Sequence, residues 1–284
     1  KGPTPKAEDR VYHKAYKAKQ EALKRQAGRP KPKTSRSAVG ADWVVGRNPV
    51  LEAFQAGLPV KQAYVAEGAE RDDRLRDILR FAAEHSVPLL QVTRAELDRV
   101  TGGLAHQGVA LQLPAFDYAD AEDVFEAAFD VPSQGLVVAL DGVTDPRNLG
   151  AIVRSAAAFG AQGVVIPARR SASMTAAAWK TSAGAAARIP VAKVTNLNQM
   201  LRRASGMGFT VVGLAGESGT PLSGLPGMDG PLLLVVGSEG DGLARLVREH
   251  CDALVSIPIT SQVESLNASV AASIALYEFT QQRS

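Results

Sequence analysis

Cysteine occurs once in these 284 residues, as Cys251, so the chain can close no internal disulfide and has no thiol pair at metal-ligand spacing. The solitary thiol reads as filler in a reducing compartment, and the expected location is cytoplasmic. Histidine is nearly as scarce: four scattered positions offer no pair for zinc, and no metal is expected. No apolar run approaches the roughly 18 residues that would cross a bilayer, the longest strand-like stretch being Leu232 to Val236, so no membrane partner is expected. A Walker-type phosphate loop and a glycine fingerprint at a helix start are also missing. Gly213, Gly216 and Gly219 come nearest, but Glu217, Pro221 and Gly224 make that stretch a loop. Hydrolase, kinase and metalloenzyme readings lose support together.

What is present is ordinary in bulk and uneven in arrangement. Hydrophobic residues at 45% and charged residues at 21% describe a folded globular chain, and its length suits two domains. The net charge of +3 conceals an asymmetry: residues 1–38 carry twelve Lys or Arg against Glu8, Asp9 and Glu21, a balance of +9, leaving 3 − 9 = −6 for the remainder. Interrupted by Pro3, Pro5, Pro30 and Pro32, with Tyr12 and Tyr16 its only aromatics, this segment cannot bury enough apolar surface to order itself and reads as a flexible basic arm. On composition alone a solvated tail and a polyanion-binding arm stay equally open.

Order is expected from residue 39. Val44 and Val45 suggest a strand, then a helix with Asn48 as N-cap, Pro49 at its first position and Gly57 as stop. A strand at Ala63–Ala66, a helix over Asp72–Glu84, a strand at Pro88–Val92 and a helix opened by the capping pair Thr93 and Glu96 follow. Val109, Leu111 and Leu113 alternate as a closing strand, completing a small α/β domain over 39–115. Residues 116–130 read as an acidic helix or linker. Within 131–284, five apolar runs (Leu136–Leu140, Val164–Pro167, Phe209–Leu214, Leu232–Gly237, Ala253–Ile259) and an optional sixth, Val191–Val194, alternate with helices at Asn148–Phe159, Leu197–Ala204, Leu243–His250 and Asn267–Gln281. This pattern predicts a mainly parallel sheet covered on both faces, whose strand ends at Asp141, Gly213, Gly237 and Pro258 are where a ligand would bind.

Three of those strand ends carry long motifs. The stretch LDGVTDPRNLGAIVRSAAAFG (140–160), then LLLVVGSEGDGL (232–243), then IPITSQVESLNASVAASIALYE (257–278) together resemble the SpoU branch of the SPOUT RNA methyltransferases, in that family's order. The preceding unit, with VVGRNPVLEAF (44–54) and HQGVALQLPAF (106–116), resembles the RNA-binding domain, related to ribosomal protein L30e, of the RlmB and thiostrepton-resistance two-domain subgroup, and not the shorter TrmH type that lacks it. The resemblance implies a C-terminal SPOUT domain with a deep trefoil knot, S-adenosylmethionine as methyl donor, and 2'-O-methylation of a ribose in RNA. The motifs look closest to RlmB, whose substrate is a guanosine of 23S ribosomal RNA. Transfer RNA or the thiostrepton-site adenosine stays open as substrate, and a non-catalytic RNA-binding protein as the other class.

The family's motifs place donor binding on Gly237, Ile257 and Leu266, and catalysis on Arg154, Asn148, Glu239, Ser265 and Asn267. Bland readings stand beside each: Gly237 and Gly240 as turn glycines, Asn148, Ser265 and Asn267 as helix caps, Arg154 as a solvated surface residue. Arg154 falls off the apolar stripe of its helix, and because guanidinium stays protonated it suits phosphate binding and alkoxide stabilisation better than general-base work, which stays open. Arg147, Arg169 and Arg170 are candidates for RNA phosphates. The apolar final helix, with Val270, Ala271, Ile274, Ala275 and Phe279, and the family's habit imply a homodimer.

Overall fold

The computed structural model describes residues 43–70, 72–131, 135–225, 230–259 and 265–282. The basic arm expected over 1–38 and part of the third motif, 260–264, lie outside the described residues.

Short apolar runs in the first half form strands β1 (Trp43–Val45), β2 (Gln62–Ala66), β3 (Leu89–Val92) and β4 (Val109–Gln112), ordered β1-β4-β2-β3. β4 runs antiparallel to both its neighbours, while β2 and β3 are parallel. The alternation expected of Val109 to Leu113 disappears because β4 is central: Val109, Ala110 and Leu111 are all buried. Helices α1 (Arg47–Gln55) and α2 (Asp73–Glu84) fill one face with Val50, Phe54, Leu75 and Ile78. On the other face the seven-residue α3 (Arg94–Val100) plants Leu97 against Ala66 and Ala110.

Thr93 caps α3 by accepting from Glu96 at 3.2 Å, as its capping pair suggests, whereas Asp72, read as the first residue of its helix, is instead the cap of α2 and accepts from the Leu75 N–H at 2.8 Å. The start of α1 differs from expectation. It begins at Arg47 after Gly46, and Pro49 is its third residue, where a missing N–H is still harmless. The capping acceptor is tertiary: Gln107 Oε1 takes the Arg47 N–H at 3.1 Å, while the Arg47 side chain donates to the Gln107 carbonyl at 3.2 Å and to Asp72 at 2.6 Å. A loop sixty positions away thus does the work assigned to Asn48. The Leu75 amide first and the Arg47 guanidinium second hold the Asp72 carboxyl below its ordinary range, so this latch is fully present above that range and weakens as acid protonates it.

The second half builds one all-parallel sheet from β5 (Leu136–Asp141), β6 (Gly163–Pro167), β7 (Val191–Val194), β8 (Thr210–Leu214), β9 (Leu232–Gly237) and β10 (Ala253–Val255), in the order β10-β8-β9-β5-β6-β7. The optional sixth run is therefore β7, and the expected Ala253–Ile259 strand stops at Val255. One face packs on α5 (Pro146–Ala158) and α9 (Ala268–Gln282), through Leu149, Ile152, Leu276 and Phe279. The other packs on α4 (Ala121–Phe129), α7 (Leu197–Met207) and α8 (Arg245–Glu249), through Phe125, Leu201 and Val247. Sandwiched so, every residue of β9 is buried.

Three local readings need correction. Residues 116–130 are no linker: α4 buries Val124, Phe125 and Ala128 in the core, and Ala119 bridges to Ala192 at the sheet edge. α5 begins at Pro146, two residues before Asn148, because Asp145 supplies the cap by accepting from the Arg147 N–H at 2.8 Å. Helix α6 (Ala176–Ser182) was not expected at all, since its alanines show no amphipathic period. It carries Trp179, whose ring packs against the cores of both domains, and Lys180, which pairs with Glu52 of α1. The path between Ile259 and Ser265, on which the implied knot turns, lies outside the described residues. Among the described residues no helix is long and apolar enough to cross a membrane.

α5 and α6 meet at Gly150, where a Cβ would collide with the Ala178 carbonyl oxygen and lie 2.8 Å from Thr181 Cβ. Gly150→Ala should therefore destabilise the chain by about 1–3 kcal/mol through overpacking, outweighing the helical preference of alanine. Urea denaturation would measure it; unchanged or increased stability would show that α6 gives way freely.

Candidate active site

Parallel strands deliver their following loops to one edge of the sheet. Beyond β8, β9 and β10 these loops enclose a cleft of about 450 Å³, lined by Leu214 to Glu217, Val236 to Leu243, Ile257, Ile259, Ser265 and Leu266, with Ala268 from the start of α9. Gly237, Ile257 and Leu266, the expected donor-binding positions, all line it, as do Glu239 and Ser265. Aliphatic side chains and loop backbone make this wall suited to a flat heteroaromatic group with a polar extension.

Gly237 lines the cleft, and the need for glycine there comes from the turn itself. The space for its Cβ is occupied by the chain itself, 2.6 Å from Leu243 N and against the Gly242 backbone. The turn closes through Ser238 N–H to Gly242 O at 3.0 Å and Gly242 N–H to Ser238 O at 3.1 Å, and Gly240, at φ +90°, serves the bend rather than a close ligand approach. Asp141, at the end of β5, fastens the turn's exit by accepting from the Ala244 N–H at 2.7 Å.

Glu239 on that turn is the hub. Its Oε1 accepts from Asn148 Nδ2 at 2.7 Å and from Asn267 Nδ2, and Asn267 also donates to Asn148 Oδ1 at 3.1 Å. Three residues from three motifs, separated by up to 119 positions, thus meet in one triangle. Asn148 is buried within the first turn of α5 and is not its cap. Asn267 plays both parts: its Oδ1 caps α9, accepting from Ser269 N–H at 2.9 Å and Val270 N–H at 3.3 Å, while its Nδ2 faces the cluster.

Arg154 is not brought into this triangle. It is exposed, without a hydrogen-bond partner among the described residues, and six positions beyond Asn148, which puts it about 9 Å farther along the helix and roughly 240° around it. It sits next to Ser155, whose hydroxyl meets Ser273 of α9 at 2.7 Å. Arg147 is exposed in the first turn of α5, which follows β5, and Arg169 and Arg170 are exposed in the loop following β6, at the same sheet edge as the cleft. The strand end expected at Gly213 does lead into this wall through Leu214 to Gly216, but sequence reasoning gave no site role to Glu217 or Arg248, which complete it. Glu217 pairs with Arg248, and its own backbone amide first and that guanidinium second hold its carboxyl below the ordinary range. Its place just after β8 was the available signal. Cys251 is inert: burial pushes its thiol up to about 12.

Against known proteins, residues 135–277 match the model of the SpoU rRNA Methylase family, and residues 43–119 match that of RNA 2'-O ribose methyltransferase substrate binding. An uncharacterized tRNA/rRNA methyltransferase of Mycobacterium avium (strain 104) is 52% identical over 283 residues, covering 100% of this chain and 88% of that protein. One of Mycobacterium tuberculosis (strain ATCC 25618 / H37Rv) is 51% identical over 283 residues, covering 100% of this chain and 85% of its own length. Among solved structures, the SpoU methyltransferase AviRb from Streptomyces viridochromogenes in complex with AdoMet superposes with a TM-score of 0.59 at 28% identity, over 89% of this chain and 94% of that one. The chain belongs to the SpoU rRNA methylase family.

The double role of Asn267 can be separated. Asn267→Ala removes the cap acceptor together with one donor to Glu239 and should cost about 1–3 kcal/mol. Asn267→Asp keeps the cap acceptor but sets a second carboxylate against Glu239, so at pH 7 it should be at least as costly as the alanine variant although its cap survives. Urea denaturation at pH 7 would show it; an aspartate variant as stable as the wild type would mean that Asn267 does not face Glu239 in solution.

Proposed function

We propose that this chain transfers a methyl group from S-adenosylmethionine to a ribose 2'-oxygen of RNA, with a guanosine of 23S ribosomal RNA as the target. The observation that carries the reading is the Asn148–Glu239–Asn267 triangle at the rim of the glycine-turned cleft. Support for the substrate comes from the match of residues 43–119 to a substrate-binding model of RNA 2'-O ribose methyltransferases and from the similarity to relatives named tRNA/rRNA methyltransferase.

The cleft fits the donor. Ile257 and Leu266 offer apolar contact for an adenine, the Gly237–Gly242 turn offers backbone groups, and the Glu217 carboxylate offers an acceptor for hydroxyls or an ammonium. When bound, the donor supplies an electrophilic methyl on a sulfonium. The protein's task is then positioning and electrostatics. Glu239 fixes the amides of Asn148 and Asn267, and with Ser265 on the rim these side chains orient the incoming ribose. Arg154, always cationic, holds the target phosphate and stabilises the developing alkoxide. Arg147, Arg169 and Arg170 add phosphate contacts along the same edge.

A homodimer completes this arrangement. α9 exposes Val270, Ile274 and Tyr277, with Tyr277 against Phe159, the residue that follows α5, and Arg154 is exposed on α5 itself. A two-fold pair would cover these side chains and bring Arg154 to a site in either subunit. A strictly monomeric mass at micromolar concentration would contradict it.

Nucleoside analysis of ribosomal RNA treated with the protein and donor should reveal a 2'-O-methylated ribose. Methylation on a base would sink the mechanism, and modification of transfer RNA alone would move the substrate. Arg154→Ala should cut the maximal rate by at least tenfold while donor affinity stays unchanged, as expected for a residue acting on the RNA side. Normal turnover at saturating RNA would return Arg154 to the solvated surface. Deleting residues 1–38 should flatten the salt dependence of RNA binding, because each lost phosphate contact removes about 0.7 from the log–log slope. An unaltered slope would leave the arm as a solvated tail.

A further inference from the structure

We infer that the uncovered part of the small domain's sheet is a stacking platform for unpaired bases of the RNA, a proposal that rests on the RNA-methyltransferase reading above. α1 and α2 fill one face of that sheet, but among the described residues the opposite face has only the seven-residue α3. Strand register fixes what that face presents. Val45, Ala110, Tyr64 and Leu90 form one row across β1, β4, β2 and β3, and Trp43, Gln112 and Gln62 form the next. Leu97 of α3 covers the end of the face at Ala66 and Ala110. Trp43, Tyr64, Gln62 and Gln112 remain half-buried, and Leu90 is 42% exposed.

The chemistry of this patch selects its occupant. The Trp43 and Tyr64 rings lie 5.1 Å apart, tilted by 53°. The Tyr64 hydroxyl lies 3.2 Å from Gln62 Oε1 and 3.4 Å from Gln112 Oε1, so two side-chain amides are held beside the ring with their NH2 groups unpartnered among the described residues. Aromatic faces next to amide donors match a nucleobase, which has a π-face and a hydrogen-bonding edge, better than a purely aliphatic surface. Paired bases keep their faces inside the helical stack, so the occupant is single-stranded RNA. Phosphate attraction is near at hand in sequence, since the twelve Lys and Arg of residues 1–38 precede Trp43 in the chain.

Fluorescence of the full chain tests the proposal. With Trp179→Phe in place, Trp43 is the sole tryptophan. A short single-stranded oligoribonucleotide should quench its emission, and the same strand annealed to its complement should not. Tyr64→Leu should weaken single-stranded binding by about tenfold, the effect of one lost stacking contact. Leu90→Glu, at an exposed position the core does not use, should do likewise by placing a carboxylate on the platform. Both variants should keep the wild-type melting temperature to within a few degrees and unchanged donor affinity. Equal quenching by the duplex, or full RNA affinity in both variants, overturns the platform. So does a shift of Trp43 emission on deleting residues 1–38 without RNA, which would make the arm the occupant. Quenching is read without methyl transfer: a chain that binds oligonucleotides in this way yet methylates no ribose would refute the proposed function and leave the platform standing.

Discussion

A single carboxylate oxygen, Glu239 Oε1, ties together segments that are otherwise independent. Asn148 comes from the first turn of α5, Glu239 from the turn after β9, and Asn267 from the start of α9. Each would be an ordinary polar residue alone. Glu239 and Asn267 are exposed while Asn148 is buried, so the carboxylate acts chiefly by satisfying an amide that would otherwise carry an uncompensated desolvation cost, and Asn267 closes the triangle around it. Their cooperation also explains why the turn is shaped as it is: the tight closure of Gly237 on Gly242 presents Glu239 at the rim, and Asp141 holds the exit of the same turn.

The sheet order makes that meeting possible. β5 lies beside β9, so their following loops are adjacent although their sequences are far apart. α5 and α9 then pack on one face of these strands, with Ser155 against Ser273 between them, and their first turns converge on the turn after β9. The cleft opens on the other side of that turn, toward β8 and β10, which separates the wall suited to an adenosine-like ligand from the polar triangle suited to a ribose.

Strand positions were legible because buried parallel strands are written as unbroken apolar runs; Leu136 to Leu140 and Leu232 to Gly237 reappear almost residue for residue. The cap at Thr93 was legible because its partner lies three residues away, and Asp72, with the same spacing to Leu75, was misplaced by a single residue. Failures share a different cause. The start of α1 depends on Gln107, a tertiary partner that no window around Asn48 contains. α6 has no amphipathic stripe to read. Gly237 was read both as a donor-binding position and as a turn glycine, and the collision that demands glycine there comes from its own turn. The triangle was legible only as three motifs in a known order; nothing in local spacing says that Asn148 and Asn267 share an oxygen.

Trp179 belongs to the cores of both domains, and the neighbouring Lys180 reaches Glu52 of the first. A ring packed against two cores cannot let one slide past the other without losing contact with one of them, so the default looseness between domains is restrained here. Trp179 thus acts as a hinge pin: any motion between the halves has to turn about this ring or unseat it.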